Sequence, residues 1–283
     1  MTGTTATMNG TSPHALSDAL TQRVRFVEQA GRDQAIVLAF ADPVPAKAVR
    51  ASADAEDVAD LAPPLDVLVL HGQPTERPEA AEALTRWVAG DDGAAVPLTI
   101  TLHGTLLVWR PGRAALLAAP ERADALVQAV VEFTYYEAQL GAIERETAAG
   151  WPRLEADTPL AFEVKANDPK RLAAAGSRLQ WLLGLRMKHA RLVPHLVRPP
   201  TYLATLAHQL GERLRERARV EDRLETLTAQ LEVYDRVYDL CVQRISDHRT
   251  SRREQSLEWI IICLLAADTI LLLIEVFLSL ERH

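Results

Sequence analysis

The chain has 283 residues, 48% of them apolar and 24% charged, with five each of Phe, Trp and Tyr, two cysteines and a formal net charge of −7. Such a composition excludes a collagenous, mucin-like or wholly disordered chain. Two cysteines also exclude a disulfide scaffold, so apolar burial must hold the molecule together.

The N-terminal stretch is rich in Thr and Ser, and its first arginine is Arg23. With no basic n-region and no apolar run it predicts a disordered leader over residues 1–22, and neither a secretory nor an organellar signal. Short runs rich in Val, Ile, Leu and Thr predict strands at 36–40, 66–70, 98–102, 105–109, 114–118 and 160–165. Between the third and fourth runs stand only His103 and Gly104, and Arg110-Pro-Gly-Arg113 separates the fourth from the fifth, which predicts an antiparallel meander with two tight turns. Residues 43–64, with four prolines, read as a loop or linker. A helix is predicted over Pro78 to Ala89, and a long one from Pro120 to about Thr147, where Leu126, Val130, Phe133, Glu137 and Leu140 share a face. The head domain, residues 23–166, is therefore α+β, with an antiparallel or mixed sheet.

From residue 167 the pattern is all helical. Asp168-Pro169 signals a helix start, Leu172, Leu179, Leu182, Leu183 and Met187 follow, and Pro194 and Pro199-Pro200 signal its stop. A second helix is predicted from near Thr201, with Leu203, Leu206, Leu210 and Leu214. From Leu224 the spacing becomes a strict a/d seam: Leu224, Leu227, Leu231, Tyr234, Tyr238, Cys241 and Ile245. The seam fits either intermolecular coiling or a long helix packed inside its own chain. Its phase does not join that of Leu214, which predicts a break around Arg215 to Val220. The boundaries of this reading are a helical, coiled-coil region over 167–250 and a terminal apolar helix over 251–283.

That terminal helix is the sharpest feature. The 22 residues from Trp259 to Leu280 include fourteen Ile, Leu, Val or Phe. At 1.5 Å per residue they would extend roughly 33 Å, enough for a hydrocarbon core of about 30 Å. Two acids interrupt them. A central Asp costs about 2.5–3.5 kcal/mol on an insertion scale on which each Leu, Ile, Phe or Val returns about 0.3–0.6 kcal/mol. Asp268 and Glu275 are seven residues apart and so share a face, with Ser279 a turn further on. A polar stripe on an apolar helix must meet protein or water, so the helix is expected to span a membrane with the stripe against a sister helix, to lie in the core of a soluble homo-oligomer, or to dock on its own domain. Trp259 would mark the membrane interface, and Arg249, Arg252 and Arg253 a positive collar that keeps the body on the cytosolic side, with the helix as a tail anchor.

Charge is unevenly placed. Residues 165–219 hold twelve Lys or Arg against Asp168, Glu212 and Glu216, whereas residues 41–100 hold four basic and eleven acidic side chains. Lys165, Lys170, Arg171, Arg178, Arg186, Lys188, Arg191 and Arg198 form a candidate patch for anionic lipid head groups or RNA, or else a solvated helix face or a surface that packs on the acidic segment. The eight histidines show no metal spacing, and no phosphate-loop, dinucleotide or serine-hydrolase motif occurs. No catalytic residue, cofactor, metal or small-molecule substrate is predicted, and His103 is expected in an exposed turn.

Leu257, Glu258, Trp259, Ile260, Ile261 and Ile262 resemble the "RLEWIII" signature of the required-for-meiotic-nuclear-division family, a domain-of-unknown-function family, with Asp268 where many members carry Glu. Residues 104–112, GTLLVWRPG, look like its "GVVVFWG" strand, and residues 227–240 like its "LNxRLxVLxDLLDLL" helix. RPPTYLATL at 198–206 stands in place of the family's Asp-Pro-Asp-Phe-Phe-Trp segment, and Gln255 and Ser256 also depart from it. The resemblance implies an α+β head, a helical C-terminal half, a membrane-associated tail and a non-enzymatic, homo-oligomeric scaffold or tether. Eukaryotic members are mitochondrial and support organellar translation, which implies possible ribosome or RNA association. The Ala- and Arg-rich composition resembles a prokaryotic member, implying the bacterial inner membrane, with a cytoplasmic location as the alternative.

Overall fold

The computed structural model describes residue 16 and residues 18–32, 34–51, 60–90, 96–162, 169–197 and 205–280; within helices, the side chains of 169–173, 175, 245–256 and 272–280 fall outside that description. The chain divides into two compact units, Met1–Ala148 with Leu185–Ala229, and Ala149–Gly184 with Gln230–His283. The partition differs from the boundary expected near residue 166, because helical residues 185–229 belong with the sheet.

The first unit holds a seven-stranded sheet: β1 (Leu20–Val27), β2 (Ile36–Phe40), β3 (Ala46–Arg50), β4 (Ala62–His71), β5 (Leu98–Leu102), β6 (Thr105–Arg110) and β7 (Arg113–Ala118), in the order β2-β3-β1-β4-β7-β6-β5. Every pair is antiparallel except β4 with β7. A parallel pair needs a crossover, and α1 (Pro78–Ala89), β5 and β6 supply it. Leu84 and Val88 of α1 pack against Leu68, Leu70, Leu106, Val108 and Leu117. The start of α2 (Pro120–Asp157) brings aromatic side chains to the sheet, Phe133 onto Trp109 at 4.9 Å and Tyr135 onto Phe40 at 4.0 Å. Packing on both faces explains why every residue of β6 is buried. Trp109 donates its indole N–H to the Thr134 hydroxyl, which in turn donates to the Val130 carbonyl.

The meander β5-β6-β7 lies where the sequence places it. His103 and Gly104 turn with φ of 46° and 75°, and Gly112 with 83° after Pro111. Two strands occupy residues expected to be irregular. β1 starts at Leu20 inside the expected leader, of which residues 1–15 lie outside the description; its Arg23 and Arg25 pair with Asp66 and Asp60 while Val24 and Phe26 are buried. β3 and the start of β4 fall in the expected linker. Pro63 and Pro64 fit because the register shifts there, Val24 facing Leu65 and Phe26 facing Ala62, so both prolines sit in a bulge.

The strand expected at 160–165 is corrected: Thr158–Ala161 is a 3-10 turn, and residues 163–165 lie outside the description. α3 (Pro169–Val197) passes through Pro194 rather than stopping at it. The missing N–H affects only its last turn, where Leu192 and Leu196 are buried. Its buried stripe is Leu182, Leu185, Leu192 and Leu196, which leaves Leu183 and Met187, expected on the apolar face, exposed. α4 (Thr205–Arg217) packs beside β5, and Thr201 and Leu203 lie outside the description. The predicted break falls at Ala218-Arg219, where Arg219 takes φ of 53° before α5 (Val220–Leu280) begins. In the first turns of α5, Arg223 bonds Glu137 and both oxygens of Glu144 on α2.

Candidate functional site

In the second unit, α5 carries two unlike stretches. Between Leu231 and Cys241 the a/d positions are buried, and their partners come from the same chain. Tyr234 packs on Trp151 at 5.0 Å and on Trp181 at 5.8 Å. Gly150 makes room for them, since a Cβ there would stand 2.7 Å from both Trp181 and the Tyr234 hydroxyl. Tyr238 donates at 3.3 Å to Asp157, whose buried carboxylate also pairs with Arg178, and the Cys241 thiol donates to the Asp157 carbonyl. Burial pushes the Tyr234 and Tyr238 hydroxyls up to about 12, the neighbouring Asp157 charge adding to the effect at Tyr238. The Asp157 hydrogen bond raises the Arg178 guanidinium. Leu224 and Leu227, the seam residues in the first unit, are buried as well. Intramolecular packing is thus what fills the described seam; the Ile245 side chain lies outside the description.

The second stretch is the opposite. Every described side chain from Leu257 to Leu271 is exposed. Ile260, Ile261 and Ile262, which point in three directions 100° apart, are each 55–56% exposed, and Trp259, Leu264 and Leu265 exceed 60%. Among the described side chains of this helix from Leu257 to Leu271, none is buried by its own chain. The polar groups in it are few. Thr269 donates its hydroxyl to the Leu265 carbonyl at 2.7 Å, satisfying itself within the helix. That leaves Asp268 as the charged group between Trp259 and Leu271. Among the described residues no helix is long and apolar enough to cross a membrane. The described side chains of this run end at Leu271, while its sequence continues apolar to Leu280. Glu275 and Ser279, and the collar residues Arg249, Arg252 and Arg253, have side chains outside the description.

The basic patch is partly neutralised. Arg178 pairs with Asp157, Lys188 with Glu146 at 3.1 Å and Arg191 with Asp42 at 3.6 Å, and Arg186 also has a partner. Lys165, Lys170, Arg171 and Arg198 lie outside the description of side chains. Sequence reasoning could not find these pairings, since each acid is remote in the chain.

Two further features of the first unit bear on chemistry. A cavity of about 250 Å³ beside Trp109 is bordered by Glu137, Glu144, Arg145 and Arg223. Burial raises the Glu137 carboxyl, and the Arg223 hydrogen bond opposes that rise. His103 is exposed at its turn, and no cluster of metal-ligating side chains occurs among the described residues. Neither a protein-family model nor any curated protein matches the chain. The resemblance to the required-for-meiotic-nuclear-division family therefore stands on the quoted residues alone.

Proposed function

We propose that the protein is a non-enzymatic, membrane-tethered scaffold that self-assembles, with α5 as its anchor and its body on the cytosolic side. One observation carries this reading: from Leu257 to Leu271 a helix exposes large apolar side chains around its whole circumference. Exposed apolar surface on that scale marks a membrane or a protein interface. Two features favour the bilayer. The mostly apolar sequence runs on to Leu280 with Glu275 as its one charged group, and Arg249, Arg252 and Arg253 stand just before Trp259, the arrangement of a positive-inside anchor. Asp268 then requires a protein or water-lined neighbour within the membrane, which a sister helix provides. The family resemblance points the same way.

Membrane fractionation with a carbonate wash tests this. The expected result is full-length protein in the washed membrane pellet and loss of that retention on deleting residues 257–283. Recovery of the full-length chain in the soluble fraction would sink the membrane reading and turn the same helix into the core of a soluble oligomer, the setting in which a ribosome- or RNA-associated role would be pursued.

A further inference from the structure

α5 carries two heptad patterns in different phases. The first, through Leu231, Tyr234, Tyr238 and Cys241, is the seam that its own chain buries. The second occupies the exposed stretch, where Leu257, Leu264 and Leu271 stand at d positions with Ile261 and Asp268 at the a positions between them. In the sequence, Glu275 and Leu278 continue the same spacing. The four apolar side chains from Leu257 to Leu271 on this seam are 56–65% exposed, and Asp268 is exposed among them.

The two seams look away from each other. α5 runs from Val220 to Leu280 as a single helix with neither Gly nor Pro within it. At 3.6 residues per turn, Asp268 lies about 120° round the helix from Tyr238 and about 180° round from Cys241. Trp151, Asp157 and Trp181, which pack on the first seam, therefore leave the second one clear for another helix.

We propose that the second seam joins α5 to α5 of a second copy as a parallel, two-stranded coil in which Asp268 faces Asp268. The pattern itself selects that partner. Ile at a with Leu at d favours two strands, and a polar a position fixes the register. An unrelated apolar helix would leave the Asp268 carboxyl against side chains that cannot bond it. In a copy paired in register, Leu meets Leu and carboxyl meets carboxyl, and a proton held between the two carboxyls gives both a hydrogen-bond partner. The flanking e and g positions hold Ile260, Leu265 and Ala267, where a coil in water carries charges, so the pair suits lipid on its outer sides. Parallel orientation follows from the positive collar, which keeps both bodies on one side of the membrane. The inference rests on the self-assembly reading above and deepens it by naming the face, the register and the number of strands.

Disulfide cross-linking of the full chain in cell membranes tests the seam. The background carries Cys263→Ser, with Cys241 left in its buried place. Single cysteines enter on the seam through Ile261→Cys, Leu264→Cys or Leu271→Cys, and on the far side of the helix through Ile262→Cys, Ala266→Cys or Ile270→Cys. On oxidation the three seam variants are expected to give a covalent dimer at several times the yield of the far-side variants. Asp268→Asn added to Leu264→Cys keeps a polar a residue and is expected to keep the dimer. Highest yield on the far side, equal yields at all six positions, or no dimer from a chain that stays in the carbonate-washed pellet overturns the pairing and leaves the anchor standing. Full-length chain in the soluble fraction with the seam pattern intact sinks the anchor and upholds the pairing.

Discussion

Two stretches of one helix, residues 231–241 and 257–271, differ in what surrounds them more than in how they read. Both are regular and both carry large apolar side chains. The first keeps them at a and d positions with charged residues between, so one stripe can be buried and the remainder left in water; Tyr234, Tyr238 and Cys241 find Trp151, Trp181 and Asp157 within the chain. The second presents large apolar side chains on all sides of the helix, broken by Asp268, and none of its described side chains is buried. Periodicity is what separates a helix that a protein can bury by itself from one that needs another phase or another molecule.

Alkali should act on the first stretch most broadly. With their hydroxyls raised to about 12, Tyr234 and Tyr238 stay protonated in the fold after unfolded tyrosines, near 10, have ionised. Their contribution to stability is full below about pH 10 and is lost as pH rises through about 12. The part of the tyrosinate absorbance that is lost in the Tyr234→Phe/Tyr238→Phe variant should accordingly rise together with unfolding; its titration near pH 10 in a folded chain would show that the seam is not closed. Tyr234→Ala should cost about 3–5 kcal/mol in denaturant unfolding, whereas Leu264→Ala should change it by less than about 0.5 kcal/mol. Equal losses would erase the contrast. Asp268→Leu should strengthen partitioning into lipid vesicles by about 3 kcal/mol with no change in unfolding, and weaker partitioning would contradict the proposed anchor. Arg178→Met leaves the buried Asp157 carboxylate without its cation. A loss of about 2–3 kcal/mol is expected, below that of a fully buried pair because Arg178 is partly exposed, with much of it recovered in the double variant with Asp157→Asn. Smallest, Gly150→Ala should cost about 1–2 kcal/mol, crowding against Trp181 and Tyr234 outweighing the gain in helix propensity.

Much of this contrast was legible in the residue order. Heptad spacing located the seam, the slip in phase after Leu214 located the break that Arg219 makes, and His103-Gly104 and Pro111-Gly112 located the meander turns. What fills the seam was not legible, because Trp151, Asp157, Arg178 and Trp181 come from other helices and carry no local signal of the partner they meet. Local composition also misled. The prolines at 63 and 64 argue for a linker until a bulge is known to hold them, and β1 hides its alternation behind two arginines whose acids lie on and just before β4. Leu160 to Lys165 resembles a strand, yet residues 158–161 form a 3-10 turn that delivers Leu160 and Ala161 to Cys241.

The single parallel pairing, β4 with β7, has a consequence for how the sheet comes together. β5, β6 and β7 join by tight hairpins and can zip from contacts close in the chain, whereas β1 reaches β4 (Leu20 to Val69), and β4 reaches β7, only across long intervening segments. The join of β4 to β7 brings Asp66 beside Arg113 and must wait until the intervening helix and hairpin are in place. Closure of a long intervening loop before its contacts are rewarded is the slow kind of event in folding. The sheet is thus a quickly formed β5-β6-β7 ribbon whose joins through β4 come late, and substitutions along β4 should slow refolding more than equally destabilising ones in the β5-β6 hairpin.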